Sequence, residues 1–169
     1  MRILLVNKYF NMHGGSETYF FGLAELLQKA GHEVVFFAMQ DEKNLACKQS
    51  EYFVSNVEFN GNLTLTQKIK AALRMVYSFE AKNKISALIE KEKPDIVHIN
   101  LFHRVLTASI VDAAKKYDLP VVFTMHDLNC ICPNHVMLDH GEICEDCLHG
   151  NYLNCIKRVC FKESRAKCM

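Results

Sequence analysis

The stretch RILLVNKYFNMHGGSETYFFGLAELLQKAGHEVVFFA, residues 2–38, decides the fold. Residues 2–7 read as a strand buried on both faces, a continuous apolar run bounded by polar Arg2 and Asn7. The glycine pair Gly14-Gly15 follows. Ser16 then offers a helix N-cap and Glu17 suits the positive end of a helix. Tyr19, Phe20, Leu23, Leu26, Leu27 and Ala30 recur at three and four residues, which predicts one apolar helix face. Gly31 is placed to end that helix in the left-handed conformation. Residues 34–38 are again a short buried strand. Strand, glycine turn, helix and strand within about forty residues make one βαβ unit.

The same alternation continues. Residues 51–57 suggest a short strand, and residues 66–93 a long helix with a break near 78–81. Pro94 ends that helix, and residues 95–99 read as a third main strand. Residues 107–116 read as a helix, and residues 121–125 as a fourth strand. The expected fold is a Rossmann-like α/β domain, a parallel sheet with helices on both faces. Its extent is placed at residues 1–129. A Cys-rich insertion and the start of a C-terminal helix, residues 130–169, are read as part of the same domain.

Composition narrows the function. Half of the 169 residues are hydrophobic, 23% are charged and the formal net charge is +1. Such a chain has no global field to attract nucleic acid. The basic run Lys157, Arg158, Lys162, Arg165 and Lys167 faces one acid, Glu163. It reads either as a solvated helix face or as a weak contact for anionic lipid or a phosphorylated substrate. No run approaches the roughly 20 apolar residues of a membrane span. A cytoplasmic protein, at most peripheral at the inner face of the membrane, is the expectation.

An open parallel sheet binds ligands beyond the carboxyl ends of its strands. The polar residues there are those from Asn7 to Ser16, those from His98 to Arg104, and His126-Asp127. Gly14 and Gly15 read either as a tight turn or as a close backbone approach to phosphate at a helix N-terminus. The pattern is not GxGxxG, and no acid ends the second strand to hold a ribose, which disfavours a dinucleotide dehydrogenase. His98 is expected half-buried in its strand, and His103 better placed for contact. A histidine at position 126 can bond a substrate hydroxyl, support a cationic transition state, or simply pack.

In order along the chain, "RILLVN…GGSE", "TYFFGLAELLQKAGHEV", "KPDIVHINLFH" and "LPVVFTMHD" resemble the N-terminal domain of glycosyltransferase family 4. That family comprises retaining, nucleotide-sugar-dependent enzymes of the GT-B fold. The resemblance implies that Gly14, Gly15 and Ser16 contact donor phosphate or acceptor, and that His126, with Asp127 beside it, is the active-site histidine. It assigns His103 to acceptor or cleft contacts. It also implies no catalytic metal, a nucleotide-sugar co-substrate and a glycan or lipid-linked acceptor in polysaccharide or glycoconjugate assembly. A C-terminal donor-binding domain completes the family's site. None of its residues is in this sequence, so the chain by itself is expected not to turn over a nucleotide sugar.

Seven of the eight cysteines fall between Cys130 and Cys168. Cys144 and Cys147 form a CxxC, and Cys155 and Cys160 follow. Structural zinc on four of Cys132, Cys144, Cys147, Cys155 and Cys160 fits this spacing. Reduced, packed thiols and a disulfide or redox role are the competing readings. His135, His140 and His149 stand as alternative ligands. Cys132, Cys144, Cys155 and Cys160 best match a cysteine pattern in the resembling proteins, while Cys130 and Cys168 look additional. The position of the cluster soon after His126 suggests a lid or wall on the acceptor side. A non-catalytic, zinc-stapled glycan- or protein-binding module is the alternative function, and a nucleotide- or phosphate-binding regulatory domain is a third.

Overall fold

The structure is a computed structural model that describes residues 1–56 and 64–160. Val57, Lys162, Glu163, Arg165, Lys167 and Cys168 lie outside the described residues, with the expectations placed on them. The chain forms two compact units, Met1–Thr124 and Met125–Met169.

The first unit is built on a parallel sheet of order β2-β1-β3-β4. Its strands are β1 (Arg2–Val6), β2 (Glu33–Phe37), β3 (Ile96–Ile99) and β4 (Val121–Phe123). The helices are α1 (Gly15–Lys29), α2 (Leu65–Val76), α3 (Phe79–Glu92) and α4 (Ser109–Lys116). β1 shows why the sequence lacks alternation. Ile3 and Leu5 pack with Phe20 and Ala24 of α1. Leu4 and Val6 pack with Ile85, Leu88 and Ile89 of α3 and Ile110 of α4. Successive side chains point to opposite faces of a strand, so with a helical layer on each face every position must be apolar. The expected Rossmann-like α/β sheet, with helices on both faces, is what the chain forms.

Some expectations are corrected by the packing. The buried face of α1 runs through Glu17, Phe20 and Ala24, whereas Tyr19 and Leu26 are exposed. The N-cap of α1 is Gly14 and not Ser16, and no side chain caps it. Gly31, at φ +83°, does follow the helix end in the left-handed region, and the N–H of His32 donates to the carbonyl of Leu27. The long helical segment breaks at Tyr77-Ser78 because Ser78 caps α3, its hydroxyl accepting from the N–H of Ala81 at 3.2 Å. Around residues 51–57 the described part is a 3₁₀ turn, Ser50–Tyr52, and a single parallel bridge from Val54 to Met39.

The second unit, over its described residues, contains a hairpin of β5 (Leu138–Asp139) and β6 (Glu142–Ile143) and one short helix, α5 (Leu153–Arg158). His140 and Gly141 join the strands with φ of +50° and +89°. Two central residues with positive φ are what a tight hairpin needs to match strand twist.

Glu80 ties α2 and α3 to the segment after Val54. Its Oε1 accepts from the N–H of Ser55 at 2.8 Å, and its Oε2 pairs with Arg74 at 2.6 Å. Burial alone would raise this carboxyl, but the Ser55 donors, Arg74 and Lys84 outweigh burial and hold it below the ordinary carboxylate range. A lowered carboxyl stabilises the fold above its unfolded pKa and loses that contribution as pH falls through the folded one. Glu80→Gln should therefore lower the unfolding free energy by about 1 kcal/mol at neutral pH, a value reduced for partial exposure. The gap to wild type should close as pH falls through the acid range. Denaturant unfolding across that range checks this.

Candidate functional site

The carboxyl edge of the sheet in the first unit begins at Asn7, one residue past β1 and fully buried. Its Nδ2 donates to the carbonyl of Tyr9 at 2.8 Å and to Oε1 of Glu17 at 3.0 Å. Its Oδ1 accepts from the N–H of Leu101 at 3.1 Å. One side chain thus joins the end of β1, the first turn of α1 and the segment after β3. Glu17, 1% exposed, also accepts from the hydroxyl of Ser16 at 3.0 Å. Ser16 serves to hold the buried carboxylate and not to cap the helix.

Between Asn7 and Gly14 the loop is anchored by its aromatics. Phe10 is 4% exposed and packs edge-on against Phe21, Phe36 and Phe53 with ring centroids 5.0–5.4 Å apart. Tyr9 stacks on His13 at 4.3 Å, and Lys8 lies 4.7 Å from the Tyr9 ring. His13 is exposed directly before the glycine pair.

Neither glycine is required by the backbone. Gly14 is extended (φ −170°), and Gly15 is not at positive φ. A Cβ on Gly14 would make an ordinary contact with Oε2 of Glu17 at 3.7 Å, and one on Gly15 would meet nothing within 4 Å. The pair leaves open space at an uncapped helix end, where the first-turn N–H groups lack intrahelical partners.

Beyond β3, Asn100 is fully buried, and its N–H donates to the carbonyl of Val6 at 2.8 Å. His98 is half-buried as expected, with Nε2 2.8 Å from the hydroxyl of Thr124. His103 is half-buried against Phe102, with centroids 4.4 Å apart, and 6.5 Å from Phe123 of β4. Arg104 and Thr107 have positive φ, at +72° and +58°. Thr107 closes this loop by accepting from the N–H of Ser78 at 3.0 Å. Gly14, Gly15, Ser16 and His103 thus follow the carboxyl ends of two paired strands, β1 and β3.

His126 and Asp127 belong to the second unit, and both are half-buried. The Asp127 carboxylate organises its own loop, with Oδ1 accepting from the N–H of Asn129 at 3.0 Å and Oδ2 from its amide at 2.7 Å. In the same unit Cys132, Cys144, Cys147, Cys155 and Cys160 all line one small cavity. Cys130 is exposed, as are His140 and His149. No group of three or more His, Cys, Asp or Glu side chains among the described residues stands at ligand distance.

Sequence reading missed Asn7 as the joint of the edge and Glu17 as its buried partner. A polar residue abutting a buried strand, followed by an acid in the first turn of the next helix, is the signal that carries them. Asn7→Ala would leave Glu17 buried without its amide donor and the Leu101 N–H unpaired. It should lower the unfolding free energy by about 2–3 kcal/mol, read by urea denaturation.

Among solved structures the chain is similar to MurG of Acinetobacter baumannii, at 15% identity and a TM-score of 0.47, over 75% of this chain and 35% of that one. It therefore spans about a third of that structure's length. No curated protein matches the sequence. The profile of Glycosyltransferase Family 4 matches residues 13–140, a range that takes in the glycine pair, β3, β4 and His126. This chain belongs to Glycosyltransferase Family 4.

Proposed function

We propose that the chain is the acceptor-side part of a retaining, nucleotide-sugar-dependent glycosyltransferase that builds a polysaccharide or glycoconjugate. A donor-binding domain is its working partner. The observation that carries this reading is the glycine pair, which the backbone does not need and which leaves the N-terminus of α1 open.

Charge favours one of the two ligands suggested for this loop. A helix N-terminus offers about half a positive charge. The carboxyl group of Glu17, buried in the first turn, sets its oxygens against it. A diphosphate gains little there. The free N–H groups suit a neutral hydroxyl-bearing acceptor, which needs donors and close approach without a compensating charge. Gly14, Gly15 and Ser16 are accordingly assigned to the acceptor, as is His103, whose ring is fixed by Phe102 and Phe123.

Transfer breaks the bond from the anomeric carbon to the diphosphate oxygen, and that electron pair leaves with the nucleoside diphosphate. The acceptor hydroxyl oxygen bonds to the same carbon and its proton passes to the leaving group. Positive charge develops on the sugar in between, where fixed dipoles stabilise it best. His126 is assigned to that point and Asp127 to holding its loop. No catalytic metal is invoked. The work is placed in the cytoplasm, with at most peripheral membrane contact. Among the described residues no helix is long and apolar enough to cross a membrane.

The test measures sugar transfer to a glycan acceptor in the presence of the donor-binding domain. Gly15→Ala should leave thermal stability unchanged, since its methyl meets open space. It should raise the acceptor KM about tenfold, as expected for about 1.4 kcal/mol of lost contact, while the donor KM holds. His126→Ala should lower kcat by about a hundredfold. A Gly15→Ala effect confined to the donor KM would reverse the acceptor assignment. An inverted product anomer, read by NMR, would sink the retaining mechanism.

A further inference from the structure

Among its described residues the second unit has almost no conventional core. Its buried hydrophobic cluster is Cys147 and Cys155, with Ile156 and Cys160 packed against them. Val136, Leu138, Ile143, Leu148 and Leu153 are all exposed, Ile143 at 79%. A unit this small needs a staple besides hydrophobic burial.

Five cysteines line one small cavity instead. Cys132 lies on the turn closed by its N–H bond to the carbonyl of Leu128 at 2.8 Å. Cys144 follows the hairpin, and its N–H donates to the carbonyl of Met137 at 2.9 Å. Cys147 precedes a tight turn in which the N–H of Gly150, at φ +82°, donates to the Cys147 carbonyl at 2.9 Å. Cys155 lies on α5, and Cys160 just beyond it. The cavity these residues share is about 10 Å³, room for one ion and not for an organic ligand. Neither His140 nor His149 lines it, and nor does His135.

We propose that Cys132, Cys144, Cys147 and Cys160 bind a single zinc ion as a tetrathiolate that holds the second unit together. Zinc sits about 2.3 Å from each thiolate, so tetrahedral ligands lie about 3.8 Å apart. The sulfurs of Cys155 and Cys160 are 2.9 Å apart, nearer than two tetrahedral ligands stand, and one of the pair is assigned to the ion. Cys160 is assigned as the ligand of the two, because Cys155, at 1% exposure, is packed into the small cluster with Cys147, whereas Cys160 lies at its edge and lines the cavity. The N–H of Cys155 donates to the carbonyl of Tyr152 at 3.1 Å, at the start of α5. Arg158 adds a cation within reach of Cys144, fixed by Asp146 at 2.7 Å and Asp139 at 3.2 Å. The sulfurs must draw inward on binding, with loss of the four thiol protons to solvent, which couples metal uptake to folding of the unit.

The test uses the full chain, purified in reductant without chelator. Metal analysis should give about one zinc per chain, and zinc added to the metal-free protein should release about four protons. Cys155→Ser and Cys130→Ser should keep the zinc, whereas Cys144→Ser and Cys160→Ser should lose it. Since Cys144→Ser can unfold the unit outright, cobalt titration of the wild type provides the second readout. Thiolate-to-cobalt charge transfer with tetrahedral visible bands is expected. Less than about a tenth of an equivalent of zinc with no such cobalt spectrum, or iron in its place, overturns the proposal. Zinc kept by Cys160→Ser and lost by Cys155→Ser overturns the choice of the fourth ligand.

Discussion

The amide of Asn7 bonds to Tyr9, to Glu17 and to Leu101, three points of the chain that meet at the carboxyl end of β1. The side chain is fully buried, and an unmade hydrogen bond in such a place costs about 1–3 kcal/mol. The loop before α1 and the loop after β3 therefore cannot move independently. Phe10 adds an apolar anchor to the first loop, and Thr107 a polar one to the second. The glycine pair and His103 are displayed on a frame held from beneath.

That frame also sets the electrostatic character of the edge. A buried carboxylate beside a helix N-terminus is well placed for the helix, because it faces the positive end of the dipole. The same carboxylate weakens that end as an anion site. Glycines at a helix start are often taken as a phosphate cradle, and the buried carboxyl group of Glu17 underlies the hydroxyl ligand proposed here. Position on the sheet edge follows from the fold, while the ligand class we propose for it turns on one buried side chain beneath it.

The second unit rests on different physics. The first unit buries leucine, isoleucine, valine and phenylalanine on both faces of a sheet. The second, among its described residues, buries Cys132, Cys147 and Cys155 and leaves Val136, Leu138, Ile143, Leu148 and Leu153 in solvent. Hydrophobic burial scales with apolar area, and little of that area is covered here. In the zinc tetrathiolate we propose, cross-linking through thiolates would supply cohesion that does not depend on area.

Periodicity within short windows determined the order of elements, the doubly covered sheet, the glycine after α1 and the break before α3. Each of these follows from local rules of strand and helix geometry. The cysteine spacing likewise marked the thiols that share a cavity. Only the tertiary structure decided that Gly14 and not Ser16 caps α1, that Tyr19 and Leu26 face solvent, and that Asn7 meets a backbone N–H 94 residues away. The His140-Gly141 turn needed positive φ at both residues, a demand that a histidine does not advertise. Local sequence specifies what each segment can form. Contacts between distant segments choose which side chain is buried, and so which chemistry reaches the edge of the sheet.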